Sequence, residues 1–402
     1  MGARDAKRYG LAELQAAGLL VEVWDISHFF YPSVHELGIE CPSWVNSTVV
    51  SSIGHFRDLC STVTIEDTVI LIGGTEPGQV WGARKILRLI SATPAWLTSV
   101  CVGEVPTPIL PDNARWLLGV RAKKMFSLLT QPRKWKRVPG RVTSSMYLSA
   151  LAVQRRIHTQ ADIRPLDHIW SGMTISGIAP VLVGPSTTVT HIHTLDYDLV
   201  LALRASGGQL AHRLVFIDSM GPLHPDYFLH EVNGLISVEA YSEIVCRALD
   251  EIEKRFDSEV VIAVHPRATL GVMDKLYGGR TLIYGQITQL IAGSTVVIVA
   301  EGSSAIGLAA LFRRPLALLS SGKFDSYVQG MNRAYAQALD TPLIDLDAPD
   351  LPTLTFVVKE EAYAQYVQRY IKRPGTPDKP FWSVVASEII SGEKFPGIKK
   401  VD

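Results

Sequence analysis

Cysteine is scarce in this 402-residue chain: Cys41, Cys60, Cys101 and Cys246 are the only four, with no CxxC pair and no metal-ligand spacing. That pattern reads as structural thiols in a reducing compartment and gives no reason to expect a bound metal. Long apolar runs are also missing, since no window reaches about 18 uninterrupted apolar residues. The first residues lack the basic-then-apolar pattern of a signal peptide. A soluble, cytoplasmic protein is therefore expected. Net charge is absent as well, with Lys plus Arg and Asp plus Glu both at 39, so the molecule as a whole is not built to sit on polyanions.

One absence is local. No acidic residue lies between Asp112 and Asp162, an interval that carries Arg115, Lys123, Lys124, Arg133, Lys136, Arg141 and Arg156 among other cations. Trp116, Phe126 and Trp135 are interleaved with them. Two readings stay open: a solvated helical hairpin with snorkelling cations, or a surface for anionic lipid headgroups or an acidic saccharide. Nucleic acid is not expected, because no nucleic-acid motif accompanies the charge.

What is present is enough apolar material, 47% of residues, for two cores, and the length suits two domains of roughly 150–200 residues. Helical and strand patterns alternate almost end to end, which predicts an α/β fold with parallel sheets. Residues 4–17 read as an amphipathic helix closed by Gly18, and 19–26 as a strand. Helices follow at 51–63 and 80–90, with strands at 68–72 and 96–102. In a doubly wound domain a strand usually precedes the first helix, so a late start of the chain is expected here. After a short helical or extended piece at 195–204, Ser206-Gly207-Gly208 forms a natural hinge. Strands at 213–217, 259–264, 281–284, 295–300 and 316–320 then alternate with helices at 238–256, 287–292 and 304–312. Helices near 360–371 and 381–390 close the chain. The expected division is an N-terminal domain over 1–205 with a basic helical insertion at about 114–160, a C-terminal domain over 206–375, and a final helix in 376–402 returning to the first domain.

Three strands of the second domain end in polar residues: Asp218, then His265-Pro266-Arg267, then Glu301-Gly302-Ser303-Ser304. In open parallel sheets, ligands bind outside the carboxyl ends of the strands, so these groups are expected to converge. Ser303 and Ser304 lie between a strand and a helix, where hydroxyls and backbone N–H groups can hold an anion; a plain N-cap is the other reading. Gly302 would let a ligand approach the backbone. A His and an Arg at a strand end offer a switchable donor and a bidentate fork for phosphate. Tyr284, Gln286 and Thr288 are candidates for base or ribose contacts, or else a helix cap and its neighbours. A sugar-transfer reaction needs a carboxylate, as nucleophile or base. Asp218 and Asp226 are the candidates, with an Asx turn as the alternative role for Asp218.

The run from 260 to 321, with HPRA and then GQITQLIAGSTVVIVAEGSSAIGLAALFRRPLALL, resembles the donor half of bacterial GT-B transferases that build surface polysaccharides. It is most similar to those using CMP-activated acidic sugars, the Kdo and sialic acid transferases. HIHTLDYDLVLALRAS and LVFIDSMGPLHPDYF extend the likeness, and RDAKRYGLAELQAAGLLVEVWDIS is similar to the opening of polysaccharide-biosynthesis proteins. The resemblance implies two Rossmann-like domains facing each other across a cleft, with His265, Ser303 and Ser304 on the CMP phosphate. Arg267 is added from charge and position. It further implies a retaining transfer through an Asp nucleophile, without cofactor or metal, from a CMP-linked Kdo-like donor to an oligosaccharide or lipid-linked glycan. Peripheral contact with the inner membrane through 115–156 would fit such an acceptor. A UDP-sugar transferase, a sugar-nucleotide 2-epimerase and a polyol-phosphate transferase are the alternatives on the same fold.

Overall fold

The computed structural model describes residues 2–30, 40–75, 80–109, 163–172, 174–175, 177–208, 214–225, 227, 236–268, 273, 276–348 and 356–392. The basic interval 115–156 and Asp226 lie outside them. The chain forms two compact units, the first from Met1–Val102, Asp112–Ile192 and Lys379–Asp402, the second from Gly103–Pro111 and His193–Asp378. Both are α/β units built on parallel strands, the class expected from the alternating pattern.

In the first unit, β1 (Val23–Asp25) pairs with β2 (Ser47–Val49) as a two-stranded parallel sheet. A separate parallel sheet runs in the order β3 (Thr68–Leu71), β4 (Trp96–Cys101), β5 (His168–Ser171) and β6 (Thr188–His191). The expected helix over 4–17 is two helices, α1 (Ala3–Arg8) and α2 (Leu11–Ala16). Gly10 between them sits at φ 59, where a Cβ would overlap the Trp382 ring, so the close approach of that ring and the left-handed backbone divide the helix. The expected strand over 19–26 shortens to three residues, since β2 offers only three partners and Leu20 stands fully exposed. After α3 (Ser27–Phe30), Ser52 caps α4 (Ile53–Thr62) by accepting from the His55 N–H. In α5 (Val80–Ser91), Ala83, Ile86, Leu87 and Ile90 recur at helical spacing and form the buried face against Leu97 and Ile169. Cys60 is buried there, and that burial pushes its thiol up to about 11.

The main segment of the second unit begins at His193, so residues 206–208, expected as the hinge, lie inside this unit. Thr194 N–H donates to the Ile371 carbonyl, and Tyr197 and Val200 of α6 (Leu195–Ser206) are buried with second-unit residues, which ties this helix to the unit that follows it. Its strands are β7 (Leu214–Ile217), β8 (Val260–Ala263), β9 (Leu282–Ile283), β10 (Val296–Val299), β11 (Leu316–Ser320) and β12 (Leu343–Asp345). All are parallel, in the spatial order β12-β11-β10-β7-β8-β9. Numbered from β7, this is the doubly wound order 3-2-1-4-5-6, and it reverses between β7 and β10. The β7, β8, β10 and β11 runs LVFI, VVIA, VVIV and LALLS are buried throughout, as strands covered on both faces require.

Helix α7 (Val238–Phe256), capped by Ser237, covers one face with Tyr241, Ile244, Val245, Ala248, Leu249 and Ile252. The remaining helices are α8 (Ile287–Gly293), α9 (Ile306–Leu311), α10 (Ser326–Leu339) and α11 (Glu360–Tyr370). In the first unit, α12 (Phe381–Ser391) is held by Trp170, whose indole N–H donates to Glu388 at 2.9 Å, and by Trp382, whose indole N–H donates to the Arg8 carbonyl at 2.9 Å.

Candidate active site at the carboxyl edge of the second sheet

Register places three strand ends side by side. Ile217 of β7 is paired with Ala263 of β8 and with Val299 of β10. The next residues are therefore neighbours along one edge, at the point where the strand order reverses. With strands about 4.8 Å apart, the ends of β8 and β10 lie about 10 Å from each other with β7 between them. His265 and the 301–304 turn thus share an edge, as the sequence pattern required.

Of the two roles open to Asp218, the structure shows the loop-ordering one. The residue is 1% exposed. Its Oδ1 accepts from the Met220 N–H at 2.6 Å and from the Tyr277 hydroxyl at 2.5 Å, and its Oδ2 accepts from the His265 N–H at 2.9 Å. Both oxygens are committed to holding the loop after β7 against the start of the loop after β8. This carboxylate is buried with both oxygens hydrogen-bonded, so Asp218 orders the loops of the site. Its bond to Met220 is the Asx-type turn. Asp226 lies outside the described residues.

His265 is half-buried. Its Nδ1 accepts from the Arg267 backbone N–H at 3.2 Å, which leaves the neutral-ring proton on Nε2. Arg267 is exposed beside it. His224, which the sequence reading passed over, stacks edge-to-face on His265 with ring centroids 5.1 Å apart at 71°. The signal was available: His224-Pro225 and His265-Pro266 are both His-Pro pairs in the loops that follow β7 and β8.

The serine turn differs from expectation in one respect. The helix starts at Ile306, two residues beyond Ser304, and has only six residues with Ala305 as its cap. Ser303 Oγ accepts from the Ala305 N–H at 3.3 Å, a local serine turn ahead of the helix, which itself has no side-chain capping bond. Oδ2 of Asp196 lies 3.9 Å from where a Cβ on Gly307 would sit, so a carboxylate already faces the first turn of α9. The helix end is thereby a poor anion site, and the exposed Ser304 hydroxyl is what the turn offers. Gly302 serves packing: a Cβ there would come within 2.9 Å of the Tyr335 ring and 3.0 Å of Met331 Cβ. The Tyr335 hydroxyl donates to the Ser303 carbonyl at 3.1 Å, and Asn332 Nδ2 donates to the Ala300 and Leu319 carbonyls, both at 2.9 Å, so α10 pins this turn.

Tyr284 ends β9 on the same edge, half-buried against the core of α7. Gln286 is exposed at the cap of α8 without a side-chain capping bond. Thr288 is 7% exposed, on the buried side of α8.

Glu301 is the unusual titrating group. It is 8% exposed, and its carboxyl is pushed up to about 8. Burial is the main cause. The negative charges of Asp218 and Asp325 add to it, and the Ser219 hydroxyl opposes it. Tyr241 and Tyr277 are raised well above the ordinary phenol value, by burial first and then by neighbouring acidic groups including Asp218 and Glu301, with Tyr227 also acting on Tyr241. Ser219 Oγ and Tyr241 Oη, close to Glu301, are buried without a hydrogen bond of good geometry. A carboxyl held neutral in such a cluster can donate or accept a proton near neutrality. Sequence reasoning named Glu301 only as a binding residue, because burial and Asp325, supplied from the start of α10, cannot be read from local pattern.

Among the described residues, no group of three or more His, Cys, Asp and Glu is placed to hold a metal ion. No described helix is long and apolar enough to cross a membrane.

No protein-family profile matches the chain, and no curated protein sequence matches it. Among solved structures the chain is similar to a spinosyn forosaminyltransferase, SpnP, at 13% identity, covering 96% of this chain and 89% of that one with a TM-score of 0.38. It is also similar to a Listeria monocytogenes protein assigned as a UDP-N-acetylglucosamine 2-epimerase, at 12% identity, 98% and 94% coverage and a TM-score of 0.41. A third is Os79 from O. sativa, in complex with U2F and trichothecene, at 10% identity, 98% and 92% coverage and a TM-score of 0.39.

Proposed function

We propose that this chain is a GT-B glycosyltransferase whose second unit holds the nucleotide of an activated sugar at the carboxyl edge of its six-stranded sheet. The observation that carries the reading is the register of β7, β8 and β10. It sets His265 and the 301–304 turn on one edge at the strand-order reversal, where nucleotides bind in doubly wound sheets. The donor is a CMP-linked acidic sugar of the Kdo type: the edge offers His265 and Arg267 as nitrogen donors, which suits one phosphate better than two. The acceptor is a surface glycan, and the basic interval 115–156 brings the enzyme to the inner membrane. In the retaining route a carboxylate forms a bond to the anomeric carbon as the CMP phosphate leaves. The acceptor hydroxyl then displaces the carboxylate, losing its proton to a base. With Asp218 committed to the loops, Asp226 carries that nucleophilic role.

A sugar-nucleotide 2-epimerase is the second reading. It is favoured by the His224–His265 pair and by a Glu301 that exchanges its proton near neutrality. A thermal-shift and hydrolysis screen against CMP, UDP and GDP sugars, with His265→Ala as control, tests both. Stabilisation by CMP that disappears in the variant supports the transferase. Stabilisation by UDP sugars alone, with inversion at the sugar C2, supports the epimerase. No response to any nucleotide refutes both.

A further inference from the structure

We infer that His224 is a second contact to the donor's phosphoryl group, making with His265 a two-imidazole anion site; this rests on the nucleotide-sugar reading above. The loop after β7 is shaped to present this ring. Asp218 fixes the Met220 N–H, and Met220 adopts φ 64, a left-handed conformation that a non-glycine side chain rarely takes. Gly221 follows at φ 49, pressed so closely on Tyr241 that a Cβ would come within 2.7 Å of its ring. The short 3-10 turn Gly221–Leu223 then ends in a bond from the His224 N–H to the Gly221 carbonyl at 3.2 Å, and the Tyr227 N–H closes onto the His224 carbonyl at 3.0 Å. Strain of this kind persists where surrounding contacts over-determine the backbone, and it gathers at functional sites.

The same carboxylate that orders this turn also holds the His265 N–H. One buried Asp218 therefore anchors the loops that carry both rings. The two centroids are 5.1 Å apart and roughly perpendicular, so the two imidazoles lie side by side at this edge, within the span of one phosphoryl group. Charged hydrogen bonds of this type are stronger than neutral ones and discriminate for anions. The pair is built from two His-Pro loops, two adjacent strands and one common anchor, and it makes no use of the helix end that Asp196 already faces.

Isothermal titration of the full chain with CMP, UMP and cytidine tests the inference on the wild type, His224→Ala, His224→Gln and His265→Ala. Loss of one charge-assisted contact corresponds to about tenfold or more in affinity. CMP affinity should fall by that factor in both His224 variants while cytidine binding stays as in the wild type. His224→Gln keeps the ring's approximate volume, so its loss with a preserved melting temperature separates contact from folding. If CMP binding depends on His265 and is unchanged in both His224 variants, the inference is overturned and the transferase reading stands. If UMP binds with both histidines required and CMP does not bind, the anion site stands and the CMP donor is refuted. Equal losses for CMP and cytidine would also overturn the inference, since a phosphate contact cannot weaken a ligand that has none.

Discussion

Replacing Glu301 with Gln should make the protein more stable, and by an amount that depends on pH. In the folded chain the carboxyl keeps its proton up to about 8, against 4.5 for an ordinary glutamate. Between those two values the unfolded chain binds fewer protons than the folded one. The slope of unfolding free energy with pH is therefore negative there, and stability drains away as pH rises. At about 1.4 kcal/mol per pH unit, less than 1 kcal/mol is lost at pH 5, about 3 kcal/mol at pH 7 and roughly 4–5 kcal/mol at pH 8. Glutamine has nearly the same shape and no proton to lose, so Glu301→Gln should lack this term. Thermal unfolding of the two proteins from pH 5 to pH 8.5 measures it. The melting temperatures should lie close at pH 5 and separate by about 5–15 °C at pH 8, the variant being higher. A gap of constant size across this range, or a variant that melts lower at pH 8, would refute the placement of a neutral carboxyl in this cluster.

Two further outcomes follow from the same edge. Asp218→Asn keeps the side-chain shape but turns one acceptor into a donor against groups that themselves donate, so it should lower stability by about 2–4 kcal/mol in urea unfolding; an unchanged midpoint would contradict the bonding described. Gly302→Ala should cost about 1–3 kcal/mol through its clash with Tyr335 and Met331. It should leave nucleotide affinity within a few-fold, because the glycine is there for packing; stable protein with abolished binding would restore the ligand-approach role.

How much of this was legible depended on distance along the chain. Buried parallel strands announce themselves as short apolar runs, so β7, β8, β10 and β11 and the helix Val238–Phe256 were found close to their true bounds. The edge holding His265, Glu301 and Ser303 was legible too, because strand ends in a parallel sheet need only a sequence and a rule. Strands β2, β5 and β12, only three or four residues long, were missed, as was the helix Ser326–Leu339. The break at Gly10 was hidden because its cause, Trp382, stands at the other end of the chain. For a similar reason the sequence left open the choice between the two roles of Asp218. Its partners Tyr277 and His265 lie 59 and 47 residues away, and only their meeting shows that both carboxylate oxygens are spoken for.

The acidity of Glu301 also bears on what the edge can bind. Asp218 and Asp325 already place negative charge around it, with Tyr227, Tyr241 and Tyr277 as the other titrating groups in the cluster. A third carboxylate would repel a phosphate held at the end of β8. At about 10 Å, one unit charge opposes another by roughly 0.4–1.7 kcal/mol for an effective dielectric between 80 and 20. Keeping Glu301 neutral below about pH 8 spares an anionic donor that repulsion. It follows that CMP affinity of the wild type should fall about two- to twentyfold as pH rises from 7 to 9. Over the same interval Glu301→Gln should bind CMP with little change. Added salt should shrink the wild-type effect, since the repulsion acts across a distance comparable to the Debye length. Parallel pH profiles for the two proteins would mean that the carboxyl does not sense the ligand, and that its burial serves only to join the loops after β7 and β10.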